Sequence, residues 1–308
     1  MNSIPVDTSN PAIRDYLALV RLQVLTPLSL LINIATVLVC TTIIKPSIGD
    51  IMRFYPTAIS PHTGLVAIYV IIIYIGQVGY CLLLVFARTP ETKKALVKAV
   101  GLSLVLANWA MAFWAIAWVL QLFLASTILL GILILLLAYS NIALLIYHTP
   151  LISRPLDMAL IHAPLRFFLI LPLSLVFPYS LFITLGLTNL PDHPEQFDRH
   201  AWPGFSVVLS VNLLGLVVII FRRDIIWAIA ATWICVSEWS VRPKPVPVFV
   251  VVVLFTVVHP LALLSTIMYD IYFKTRQRGA IALPPDDDHH PGARGRQGPR
   301  EVDAETWS

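Results

Sequence analysis

Few residues in this chain can do chemistry, and most of them stand alone in apolar surroundings. Glu238 is the clearest case. It lies in DIIWAIAATWICVSEWSVRPKP, residues 224–245, after Asp224 and four positions before Arg242. Two roles fit a carboxylate there. Facing the interior of a helical bundle, it would contact a ligand or a cation, because an ionisable group inside a membrane span is costly and marks function. Near the end of a span it would snorkel to water, pair with Arg242 on the same helix face and sit beside Trp239 in an interfacial aromatic belt. The spacing favours this second, interfacial role. Asn33, Gln77, Asn108, Asn141, Asn212 and His259 are the other polar groups in apolar stretches. They are expected to hydrogen-bond between helices. Arg166, in HAPLRFF, is expected as a head-group anchor rather than a ligand clamp.

None of these groups assembles into a catalytic pattern. The chain has no HExxH, no GxSxG, no phosphate-binding loop and no paired carboxylates at helical spacing within an apolar stretch. His148, Asp157 and His162 share one loop at no defensible metal or hydrolase spacing. The DDDHH run, Asp286 to His290, offers metal-ligand types but reads as a solvated acidic patch. Cys40, Cys81 and Cys235 form no CxxC pair and read as small buried hydrophobes. The expectation is a protein without enzymatic activity, cofactor, metal or nucleic-acid partner.

The elements that must carry these groups follow from composition. Of 308 residues, 58% are hydrophobic and 12% charged, about half the charge a soluble domain carries. Residues 22–44, 65–87, 124–147 and 247–269 contain no Asp, Glu, Lys or Arg. About 20 such residues in a helix cross a hydrocarbon core of ~30 Å. The runs are continuous rather than alternating, which argues against a membrane β-barrel. The expected fold is therefore all-α, a polytopic transmembrane helical bundle of about eight spans with a disordered C-terminal tail. The spans are placed at 22–44, 65–87, 99–120, 124–147, 165–188, 205–221, 225–241 and 247–271. Tight turns are expected around Gln121 and at Arg222–Arg223–Asp224. The sixth and seventh spans, at 17 residues each, are short. Pro164, Pro172 and Pro178 predict a bent fifth span, and Pro260, next to His259, a kink in the last. No cleavable leader is visible, so the first span is expected to be retained.

Loop charge supports the even count. With eight spans, sixteen Lys and Arg residues fall on one side and five on the other. Cytoplasmic loops are rich in Lys and Arg, so both termini are expected in the cytoplasm. The organisation is a cytoplasmic segment at 1–21, a helical bundle at 22–271 and a disordered cytoplasmic tail at 272–308. The tail is rich in Pro, Gly and charge and has too little apolar surface to offset the entropy of ordering. Its basic start, Lys274, Arg276 and Arg278, suits anionic head groups or an ordinary stop-transfer flank.

Three segments carry a resemblance. The third span reads LANWAMAFWAIAW, the fifth LPLSLVFPYSLFITLG and the seventh RDIIWAIAATWI. In this order they resemble the tryptophan-rich membrane proteins related to the translocator protein, the TspO/MBR family, over residues 22–241. The second span, YIGQVGYCLLL, lacks the tryptophan expected there. The chain also resembles fungal multi-spanning membrane proteins, a likeness that assigns no activity. The TspO/MBR resemblance implies an aromatic-lined cavity for a hydrophobic or amphiphilic small molecule such as a porphyrin or sterol. It puts Asn108, Trp109, Trp114, Trp227 and Trp233 at the site, with Glu238 added from the charge argument above.

Two functions remain open: binding or moving an apolar small molecule, or a ligand-free structural or assembly component that holds partners in the bilayer, itself included as a homo-oligomer. GQVG is a weak dimerisation signal, since it is not GxxxG. A standard secondary transporter is disfavoured because the proline-rich fifth span has no counterpart in the first half. A seven-helix receptor is disfavoured by the even span count.

Overall fold

The computed structural model describes residues 11–86, 92–93, 95–147, 158–189, 198–278, 280–282 and 301–303. The long apolar runs set its helices. α1 spans Pro11–Thr42, the short α2 Ile48–Phe54 and α3 Thr63–Phe86. A π-helical turn, Ala95–Val100, leads into α4, Gly101–Val119, and α5 covers Phe123–Tyr147. The next rod is composite. It joins a π-helical turn at Met158–His162, α6 at Ala163–Leu171, a second π-helical turn at Pro172–Val176 and α7 at Phe177–Thr184. α8 is Ala201–Arg222, α9 Ile225–Trp239 and α10 Val246–Arg278.

Each of the eight expected spans is thus a helical rod, and seven are long and apolar enough to cross a membrane. The lengths of the sixth and seventh need correction: α8 has 22 residues and α9 has 15. Asp224 fixes the boundary. Its carboxylate accepts the Trp227 backbone N–H at 3.1 Å and caps α9. Arg223 before it takes the left-handed conformation, φ 51°, that ends α8. The other expected tight turn is present too, with Gln121 at φ 58° between α4 and α5. The three prolines of the fifth rod lie beside its π-helical turns, where the regular hydrogen-bond ladder is already broken. Pro260 lies inside a continuous α10.

The rods alternate in direction. One end of the bundle gathers on the 48–63 segment. There Trp118 Nε1 at the end of α4 donates to the Ile48 carbonyl at 3.4 Å, and the Tyr179 hydroxyl on α7 to those of Met52 and Tyr55 at 2.9 and 2.8 Å. The His62 backbone N–H donates to the Ser237 carbonyl at the end of α9 at 2.7 Å. At the opposite end Gln23 Nε2 reaches the Leu84 carbonyl at 2.9 Å, and Arg223 pairs with Asp270 at 2.8 Å. The first rod therefore starts, and the last rod finishes, at the same end.

α10 continues through Arg278, and a short antiparallel ribbon joins Ala280–Ala282 to Glu301–Asp303. The rest of the expected disordered tail, its DDDHH run, and His148 and Asp157 lie outside the described residues.

Gly76 and Gly79 serve packing within the chain, where α3 meets the composite rod. A Cβ on Gly76 would lie 2.7 Å from Cγ of the rigid Pro164 ring, whereas one on Gly79 would meet only the flexible tip of Leu160, also at 2.7 Å. Overpacking costs roughly 1–3 kcal/mol when neighbours cannot give way. Gly76→Ala is therefore expected to lower the thermal midpoint of the detergent-solubilised protein clearly more than Gly79→Ala, as read by a thermal-shift assay on both.

Candidate functional site

The apolar rods enclose a chamber of about 360 Å³ between α1, α3, α4 and the composite rod, floored by α2. Its inner wall is aromatic: Trp114 and Trp118 project from successive turns of α4, with ring centroids 5.8 Å apart, and Tyr179 packs on Trp118 at 6.0 Å. Ile48, Gly49 and Met52 of α2 form the floor. The outer wall is thin. Leu38 on α1 and Ile71 on α3 line the chamber and are still 58% and 54% exposed on the surface of the bundle.

Polar groups at the chamber are mostly committed. The Tyr74 hydroxyl donates to Asn33 Oδ1 at 3.3 Å, while Trp118 and Tyr179 donate to carbonyls of the 48–55 segment. Trp114 is the exception. Its indole Nε1 is buried and has no hydrogen-bond partner. An orphaned donor in an apolar interior costs about 1–3 kcal/mol; the Trp114 ring borders the chamber, while its N–H is buried within the wall.

The structure scatters the residues expected at the site. Trp114 alone of that set lines the chamber. Asn108 is fully buried behind it, accepting from Asn33 Nδ2 at 3.0 Å and donating to Ser29 Oγ at 3.5 Å, so it ties α4 to α1. Trp109 packs on Phe113, with ring centroids 5.7 Å apart. Trp227 sits over Gly215 on α8. Trp233 donates from Nε1 to the Leu65 carbonyl at 3.1 Å and lines a separate open apolar cleft of about 510 Å³ between α9, α10 and the start of α3. Tyr74, Met111, Trp118 and Tyr179 are chamber residues that the expected set misses. Trp118 and Tyr179 stand within the motifs quoted above, one helical turn past Trp114 and directly after Pro178; only their facing was hidden.

Glu238 requires a correction. It is 2% exposed, facing the interior rather than the interface. Arg242 does not pair with it but stacks over the Phe249 ring at 3.8 Å. The charge that Glu238 feels is Lys244, brought back under the bundle end by the turn after α9. Burial pushes the Lys244 ammonium below the ordinary lysine range, and the Glu238 carboxylate pulls it back up.

Arg166 also departs from expectation. It is buried and forms an ion pair with Asp224 at 2.7 Å, joining α6 to the cap of α9. Interhelical bonding holds for Asn33, Asn108, Asn141 (to the Leu165 carbonyl, 3.3 Å) and the group formed by Asn212, Cys235 and His259. Gln77 breaks the pattern: its amide is buried without a partner. The cysteines are free, as expected; Cys40 and Cys235 are buried and Cys81 is half-buried. Among the described residues no group of three or more His, Cys, Asp or Glu is placed to hold a metal.

A family model described as TSPO-like protein matches residues 23–267. The match extends past the 22–241 expected from the resemblance and takes in most of α10. No curated protein and no solved structure gives a significant match.

Removing one member of a buried ion pair typically costs about 3–5 kcal/mol, because the other charge is stranded. Arg166→Met should therefore destabilise the protein strongly. The double variant Arg166→Met with Asp224→Asn, which keeps a capping side chain, should recover a large part of the loss. Thermal unfolding of both variants in detergent decides the point.

Proposed function

The chain belongs to the TSPO-like protein family, and from that premise we propose that this integral, multi-pass membrane protein binds or moves a hydrophobic or amphiphilic small molecule, of the porphyrin or sterol type, in the aromatic chamber. The observation that carries this reading is the aromatic wall of Trp114, Trp118 and Tyr179 around an almost wholly apolar cavity of about 360 Å³. Ligand sites are typically apolar cavities of a few hundred Å³ with few polar groups that fix orientation, and this chamber fits that description. The thin wall between Leu38 and Ile71 supplies a route from the lipid. In this reading the protein is a binder or carrier without catalytic chemistry. Asn108, Trp109, Trp227 and Trp233 support the bundle, and only Trp114 of the expected set touches ligand.

The orientation belongs to the same proposal. Both ends of the bundle's path lie on one face, and that face carries the larger share of Lys and Arg, so it is assigned to the cytoplasm. The α2 end then faces away from the cytoplasm. Tags on the two termini should both be accessible only from the cytosol; accessibility of the two tags from opposite faces overturns the assignment.

Tryptophan fluorescence tests the binding reading. Titration with a porphyrin and with a fluorescent sterol should give saturable quenching or energy transfer for at least one of them. Ala67→Trp, which fills the chamber from its exposed wall, should abolish it. Trp114→Ala, which removes a ring from the chamber wall, should weaken it by roughly tenfold, the value of about one lost aromatic contact. No saturable signal from either ligand would favour the competing reading, a structural or assembly component.

A further inference from the structure

A second cavity, of about 410 Å³, lies at the α2 end. Arg53, His62, Arg242 and Lys244 line it together with Thr57, Ser60 and Thr63, and among the described residues no acidic one does. The basic groups are arranged to leave donors free. Arg242 Cζ lies over the Phe249 ring, 3.8 Å from its centroid, and its N–H groups have no partner among the described residues. Among the described residues Arg53 has neither an ion-pair nor a side-chain hydrogen-bond partner. Lys244 spends two of its three N–H groups on the carbonyls of Ala58 and Ser60, at 3.3 and 3.0 Å. His62 Nδ1 accepts the Leu65 backbone N–H at 3.4 Å, so Nε2 is the ring nitrogen left to donate. Three cations line this space, and Glu238, the carboxylate that Lys244 feels, is not among its lining residues. Such convergence without acids is the pattern that recognises an oxyanion.

This cavity adjoins the apolar chamber. Met52 and Thr63 line both, and the Met52 side chain, unbranched and adaptable, stands between them. We propose that the two cavities form one bipartite site for an amphiphile with an acidic head, a carboxylate or a phosphate monoester, whose apolar body fills the chamber while its head is held by Arg53, Arg242 and Lys244. This rests on the binding reading above and narrows it: the ligand is an anionic amphiphile, and a neutral molecule of the same body occupies only half the site.

The test uses the full-length protein in discs of zwitterionic lipid, with a fluorescent long-chain polyene fatty acid and its matching primary alcohol as probes, at a pH where the acid is ionised. Energy transfer from tryptophan reports binding. The acid should bind at least about tenfold more tightly than the alcohol. Arg53→Gln combined with Arg242→Gln should bring the acid down to the alcohol's affinity and leave the alcohol unchanged. The double Arg→Lys variant should keep much of the preference. Both arginines are exposed, so the variants should fold, and unchanged alcohol binding confirms it. Equal affinity of acid and alcohol for the unmodified protein overturns the inference but leaves the chamber as a binding site. A preference that survives the Gln variants also overturns it. If adding anionic phospholipid to the discs removes the preference only when both arginines are present, the cavity takes the bilayer's own head groups and the bipartite site is wrong. Failure of both probes to bind counts against the chamber itself.

Discussion

The fold depends on how the 44–62 segment satisfies its backbone. This stretch breaks the run of spanning helices, and part of it, at Ser47, Ile51 and Thr57 to Ile59, is buried. A buried backbone group left unpaired is costly. The chain answers with donors from distant elements: an indole N–H from α4, a phenol O–H from α7, an ammonium from the turn before α10 and the backbone N–H of Asn189, which reaches the Pro56 carbonyl at 2.7 Å. Ser47 and Asp50 close α2 on itself through a capping box, and the bonds from Ser47 hold the Asp50 carboxyl at about 2, well below the usual range. Because the donors come from α4, α7, the segment after α7 and the turn before α10, fixing this one segment also fixes those ends.

That arrangement explains why the chamber and the basic cavity lie where they do. α2 is a floor with two faces. Ile48, Gly49 and Met52 look into the apolar chamber, while Met52, Arg53 and Pro56 border the polar one. The aromatic residues that wall the chamber are the same residues that tie the floor down. Trp118 and Tyr179 carry a ring for the cavity and a donor for the floor, so neither can be exchanged for an aliphatic residue without loss on both counts. Trp114, one turn away, borders the chamber with its ring but makes no bond to the floor.

Much of the architecture was legible in the sequence because it rests on one strong signal, the length of charge-free runs. Most of the rods and the turns at Gln121 and Arg223 follow from that signal, and seven of the eight rods are long and apolar enough to cross a membrane. The site was less legible, because motifs give residue types while facing is decided by packing. Asn108 and Trp114 lie six residues apart on one helix, yet one bonds α1 and the other borders a cavity. Glu238 misled for a similar reason. Its distance from the helix end suggested water, but the chain folds back through Pro243 and places Lys244 over it. Arg166 hid its role because its partner, Asp224, is 58 residues away in sequence, and nothing local announces the pair.

The thin wall between Leu38 and Ile71 has a consequence for thermodynamics. A molecule that enters through it comes from the oil phase, so the chamber equilibrates with the mole fraction of solute dissolved among the acyl chains. Occupancy would then rise and fall with the lipid-to-protein ratio at constant bulk content, and detergent tails would act as rivals for the same space. A dissociation constant in moles per litre of water would describe the partitioning of the solute as much as the protein.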